Sequence, residues 1–129
     1  MVALNELAIT KMATVTGIDA KAVAVTTLYT VPAGKTFIPT FVIIRVTAFT
    51  VGAKGVQAIA SFGGNSATFD DFINSATYTV AAANTFIRDG VEDSAITVQA
   101  AADVFNISIE TGSDATTETW AVDVFGYLV

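Results

Sequence analysis

Carboxylates are the residues with the most chemistry to offer in this chain. Asp70-Asp71 and the group Asp89, Glu92 and Asp93 present hard oxygens of the kind Ca²⁺ takes when loop carbonyls and waters complete about six to eight positions. Their spacing follows no EF-hand loop, so they read as solvated loop acids rather than a metal site. Twelve acids are enough to supply a pair for sugar hydrolysis, but nothing in their order sets two at a catalytic separation. The chain has no histidine and no cysteine. That removes the usual general base, the commonest metal ligand, thiolate chemistry and disulfides. Ser61, Ser66, Ser75, Ser94, Ser108 and Ser113 therefore lack the imidazole that a Ser-His-Asp triad needs. Gly63-Gly64 has neither the strand-to-helix context nor the Lys-Ser/Thr of a phosphate loop, and it reads as a turn. Trp120 with Phe125 and Tyr127 would line a sugar groove, but alternation in the closing strand sets Trp120 apart from the other two and toward the core. No catalytic, cofactor-binding or metal residue is assigned, and an enzyme is not expected.

The balance of charge narrows the partners. Net charge is −6, and the six basic residues, Lys11, Lys21, Lys35, Arg45, Lys54 and Arg88, are spread singly, so no patch for a phosphate backbone is visible and nucleic acid is not an expected partner. Polar residues interrupt every apolar run before about 18 residues, so no membrane-spanning helix is expected and the chain reads as soluble. Met1 to Met12 lacks the basic start and continuous apolar run of a secretory signal, which points to synthesis and assembly in the cytoplasm. Hydrophobic residues make up 53% and charged residues only 14%, a balance that leaves apolar surface for other chains to cover.

The elements that position these residues read as strands. Val23 to Val31 and Thr36 to Val46 flank Val31-Pro32-Ala33-Gly34-Lys35, where Pro32 suits a type I turn and Gly34 a left-handed position after it; the pattern predicts a hairpin. In its first strand Val23, Val25, Tyr29 and Val31 share the face expected to meet the core. In its second, Phe37, Phe41 and Ile43 oppose Ile38, Val42, Ile44 and Val46, so both faces are apolar and the strand is central or covered by a partner. Pro39 within it predicts an edge position or a bulge, and a bent strand that changes neighbours midway satisfies both expectations. Further strands are expected around Val56–Phe62, Tyr78–Val80, Thr85–Arg88, Ala95–Gln99, Val104–Glu110 and Thr119–Leu128, with Phe69 to Ile73 a helical turn or rim loop.

About eight strands at fairly regular spacing, with no long helical pattern, predict an all-β fold: an antiparallel β-sandwich, jelly-roll-like in strand number. Residues 21–129 are assigned to one sandwich domain and residues 1–20 to an N-terminal arm or a first strand. The apolar surplus falls on Thr36–Val46 and Val122–Val129, which makes Phe37, Phe41, Ile43, Phe125 and Tyr127 the candidate interface residues.

Three stretches carry a family resemblance. Thr27 to Thr36 (TLYTVPAGKT), Ala95 to Ile109 (AITVQAAADVFNISI) and Val122 to Val129 (VDVFGYLV) resemble segments of small virion proteins of tailed bacteriophages. The resemblance implies a β-sandwich that decorates or cements the capsid, or a small tail-associated module. It further implies homo-oligomers, trimers above all, gripping the major capsid protein where capsomers meet. No individual functional residue carries over with it. The expected location is the capsid surface, with a fibre-borne receptor or carbohydrate-binding module as the alternative and a carbohydrate-active enzyme behind it.

Overall fold

The computed structural model describes residues 8–65, 67–90 and 98–129. Among them eight strands and no helix are found: β1 (Thr10–Asp19), β2 (Ala24–Thr30), β3 (Phe37–Thr50), β4 (Ala58–Gly63), β5 (Ile73–Tyr78), β6 (Phe86–Gly90), β7 (Val104–Thr111) and β8 (Thr117–Leu128). They form two antiparallel sheets of four, the first in the order β1-β8-β3-β6 and the second in the order β2-β7-β4-β5. Strands nest as pairs from the outside of the chain inward: β1 with β8, β2 with β7, β3 with β6, and β4 with β5. The expected antiparallel sandwich is what forms. Thr10–Asp19 is a first strand on β8 rather than an arm; residues 1–7 lie outside the described residues.

One face of each sheet is apolar at period two, and the two apolar faces meet. Trp120, Val122 and Val124 of β8 and Val42, Ile44 and Val46 of β3 are buried against Leu28, Ala58, Ala60, Phe62, Phe105, Ile107 and Ile109 of the second sheet. Two aromatic clusters join the layers. Tyr78 meets Trp120 edge-on at 5.7 Å and Phe62 at 6.2 Å. Phe37 meets Tyr29 at 5.1 Å and Phe105 at 5.7 Å, with Phe72 edge-on to Phe105 at 5.6 Å. Each edge-to-face pair adds about 0.5–1.5 kcal/mol beyond the area it buries.

The hairpin expectation fails. β2 and β3 belong to different sheets, and the segment between them is a corner. The turn is present: the Lys35 N–H donates to the Pro32 carbonyl at 3.2 Å and Gly34 has φ +74°. That makes Gly34 the third residue of a type II turn, with Pro32 opening it, rather than the type I turn the sequence predicts. Past it, Thr36 bonds back to Val129 and Phe37 exchanges two hydrogen bonds with Gln99, so β3 is drawn to partners other than β2. A Pro-x-Gly turn reverses the chain equally well within one sheet or between two.

Bulges reset the faces in both flanking strands. In β2, the register on β7 shifts between Thr27 and Tyr29. Leu28 is buried, Tyr29 is half-buried, and Val23 and Val25 are exposed at 71% and 51% instead of facing the core. In β3, the register on β8 shifts between Pro39 and Phe41. Phe37 and Pro39 point inward before the bulge, and Val42, Ile44 and Val46 point inward after it. The expected bulge at Pro39 is therefore present. The expected change of neighbour is present too: β3 bridges Gln99 at Phe37 and then pairs with β6 from Phe41 to Arg45. Gly126 lies opposite Pro39, where a Cβ would come within 2.6 Å of the Phe37 ring. The missing side chain makes room for the buried phenyl.

Candidate functional site

After the β3 bulge, the residues facing outward on the first sheet include Phe41, Ile43 and Arg45 of β3, Thr119, Ala121, Asp123, Phe125 and Tyr127 of β8, Phe86 and Arg88 of β6, and Lys11, Thr14 and Asp19 of β1. Antiparallel register puts them in rows across the strands. One row runs Lys11, Phe125, Phe41; the next Thr14, Asp123, Ile43, Arg88; a third Ala121, Arg45, Phe86.

Contacts within and between the rows tie the face together. Phe41 and Phe125 stack at 4.6 Å with 15° between their planes. The Arg88 guanidinium sits 4.3 Å from the Phe41 ring centre, a cation on the negative face of a π system. Arg45 Nε donates to Asp123 Oδ2 at 3.0 Å and Arg45 Nη2 donates to Asp123 Oδ1 at 3.3 Å, the bidentate geometry that a guanidinium favours. Thr14 Oγ1 adds a third donor to Asp123 at 2.6 Å. Asp123 is thus 8% exposed although it sits on an outward face. Phe86 is 70% exposed beside Arg45. Three of the six basic residues of an acidic chain, Lys11, Arg45 and Arg88, lie on this one face, with Asp123 held by Arg45 and Asp19 at the end of β1.

Four of the five candidate interface residues come together here. Phe41, Ile43, Phe125 and Tyr127 are half-buried on the outer face. Phe37 is not among them: it is 0% exposed, packed between Tyr29 and Phe105, because the bulge after Pro39 moves it to the side opposite Phe41. Arg45, Phe86, Arg88 and Asp123 belong to the face without having been picked from the sequence. Arg88 and Phe86 share a side of a short alternating strand, which is the one signal that was readable in advance. Trp120 is fully buried and donates its indole N–H to Glu118 Oε1 at 2.9 Å, on the face away from Phe125 and Tyr127.

The carboxylates suspected of chemistry organise loops. Asp70 accepts from Asn65 Nδ2 at 2.6 Å and Thr68 Oγ1 at 2.9 Å, which holds its pKa below the ordinary value. Asp71 accepts from the Gly64 N–H at 2.8 Å and from Gln99 Nε2 at 3.3 Å. Asp89 accepts from the Tyr78 hydroxyl at 2.8 Å across the sandwich; Glu92 and Asp93 lie outside the described residues. Among the described residues no three acids converge. On the outer face of the second sheet Ser61 and Ser75 donate to the two oxygens of Glu110, at 2.5 and 2.6 Å, and Ser61 accepts the Ser75 N–H at 2.9 Å. Ser61 is 0% exposed, so this pairing closes a hydrogen-bond ring and leaves its hydroxyl out of reach. No family model, curated protein or solved structure matches the chain. The outer face of the first sheet is the part of the described surface that combines aromatic rings, aliphatic side chains and fixed charges.

Proposed function

We propose that this chain is a structural protein of a tailed-bacteriophage virion, a decoration or cement protein that binds the outside of the head and bridges major capsid proteins. The virion part of the reading rests on the resemblance of Thr27–Thr36, Ala95–Ile109 and Val122–Val129 to small phage virion proteins. The nested strand pairs agree with it, and we read them as a jelly roll, an architecture used by viral capsid domains. The observation that carries the contact itself is the outer face of the first sheet, where the stacked Phe41 and Phe125 are bordered by Arg88, Arg45 and Lys11. Aromatic and arginine side chains concentrate binding energy at protein interfaces. The cationic border fits an acidic patch on the capsid, and the acidic remainder of the chain keeps neighbouring copies apart where they do not touch.

The mechanism is mass action. A protein that binds the assembled lattice and not its dissociated parts stabilises the lattice by RT ln(1 + [L]/Kd), about 2.7 kcal/mol at a hundredfold excess over Kd. Action as a homo-oligomer, with three copies favoured, multiplies the contact. Cryo-electron microscopy of the virion tests the reading. Density for the sandwich distributed over the capsid lattice, first sheet inward, is the expected result. Density confined to tail or fibres would replace it with a receptor-binding role.

A further inference from the structure

At one end of the sandwich a pocket of about 220 Å³ opens among the end of β3, the β3–β4 loop, the β5–β6 loop and the start of β8. Its walls are mostly apolar, with Phe49, Val51, Val56 and Val80 prominent. Two acids also line it. Asp114 is already engaged, since its Oδ2 accepts the Lys54 N–H at 2.6 Å and its Oδ1 accepts the Val56 N–H at 2.9 Å. Glu118 is not. The residue is 1% exposed, Oε1 accepts the Trp120 indole N–H at 2.9 Å, and Oε2 is buried with no hydrogen-bond partner. A buried carboxylate oxygen left without a donor carries its full desolvation cost, so an orphan of this kind calls for an occupant.

We infer that this pocket binds a primary ammonium group carried on an apolar stem, with Glu118 as the anion that receives it. A divalent cation fits poorly, because Ca²⁺ wants about six to eight oxygens and Glu118 Oε2 is the one buried side-chain oxygen of the lining left unengaged. A guanidinium fits poorly too, because its planar fork wants both oxygens of a carboxylate and Trp120 already holds one. An ammonium is a compact charge whose three donors are not fixed in a planar fork, so one of them can meet a single free oxygen. The remaining amide, Gln57, is spent on the Val80 N–H at 2.9 Å and the Gly55 carbonyl at 3.4 Å, so ordered water finds few further partners. At about 30 Å³ per water, the volume corresponds to about seven non-hydrogen atoms, enough for hexylammonium or for a lysine side chain with its Cα. Phe49 is eight residues, about 26 Å, along β3 from Phe41, so the pocket and the aromatic face stand or fall separately.

Trp120 is the only tryptophan, and its N–H is bound to the same carboxylate, so its fluorescence reports occupancy directly. Titration of the full chain at neutral pH with n-hexylammonium is expected to shift the Trp120 emission saturably and to raise the melting temperature. n-Hexanol, of equal size and no charge, is expected to bind at least tenfold more weakly. Glu118→Gln should lower hexylammonium affinity at least tenfold. Ala81→Phe, at an exposed lining position, should lower it at least fivefold with folding intact, which covers the case in which Glu118→Gln fails to fold. Lys54→Met should leave it within twofold; a large gain would mean that the chain's own ammonium fills the pocket, and would overturn the inference. N-acetyl-lysine methylamide separates the sources: tighter binding than hexylammonium assigns the pocket to a partner protein's lysine, weaker binding to a free amine. Equal binding of hexanol and hexylammonium, or no binding of either amine, would overturn it.

Discussion

On the outer face of the first sheet Phe41 stacks on Phe125, Arg88 covers Phe41, and Arg45 grips Asp123, with Phe86, Ile43 and Tyr127 beside them. The same face of the second sheet carries Val25 and Thr27 of β2, Asn106, Ser108 and Glu110 of β7, and Ser61 and Ser75 across β4 and β5. Both sheets bury an alternating apolar face, so the difference cannot come from folding. The second sheet shows the aliphatic Val25 and Ile59 among hydroxyls satisfied by Glu110, while its rings Phe62, Tyr78 and Phe105 are buried in the core. Rings and aliphatic side chains on the first sheet leave it with apolar area that a partner would remove from water, at roughly 25 cal/mol per Å². A sandwich needs one core; a second apolar face is spare, and in the function proposed above it is where a neighbour docks.

Phe37 and Phe41 make the sharpest test of where core ends and contact begins, since they lie four residues apart in one strand on opposite sides of the sheet. Phe37→Ala is expected to cost about 3–5 kcal/mol of stability, read from urea unfolding, because it empties the site between Tyr29 and Phe105. Phe41→Ala with Phe125→Ala is expected to cost only about 1–2 kcal/mol of folding and to weaken attachment to the particle roughly thirtyfold, about 2 kcal/mol. Equal folding losses for the two would erase the distinction.

The link between the sheets is also pH-sensitive. Burial, and then the charge of Asp89, push the Tyr78 hydroxyl up from its ordinary value of 10.0. The folded chain therefore holds this proton while the unfolded chain releases it above pH 10, so stability is full below pH 10 and falls as pH rises past it. Between pH 8 and pH 11 the wild type should lose about 1.4 kcal/mol more than Tyr78→Phe, one pH unit's worth of proton release. Equal losses would mean that Tyr78 ionises in place. The smallest effect belongs to the second sheet: Glu110→Gln is expected to cost under about 1 kcal/mol and to leave attachment unchanged. A loss of attachment would make that face a contact surface too.

Alternation made the sandwich legible before the structure. Val122, Val124 and Trp120 could be sent inward from spacing alone, and so could Phe105, Ile107 and Ile109. What alternation could not carry was its own phase. One extra residue at Thr40 moved Phe37 from the contact face to the core, and another at Leu28 turned Val23 and Val25 to solvent. Pro39 announced the first bulge without saying which residues would change sides. Strand order was out of reach as well. The Arg45–Asp123 pair and the Arg88–Phe41 contact depend on β8 and β6 flanking β3, and nothing local to those residues encodes that.

The absence of cysteine from the chain allows the central claim to be tested one face at a time. Single cysteines at Ile43→Cys on the first sheet and Thr27→Cys on the second would be labelled with a maleimide, first on the free chain and then on the particle to which it attaches. Attachment is predicted to slow labelling at Ile43→Cys at least tenfold and to leave Thr27→Cys within twofold of its free rate. Protection of Thr27→Cys with Ile43→Cys unchanged would contradict the account and move the contact to the hydroxyl-lined sheet.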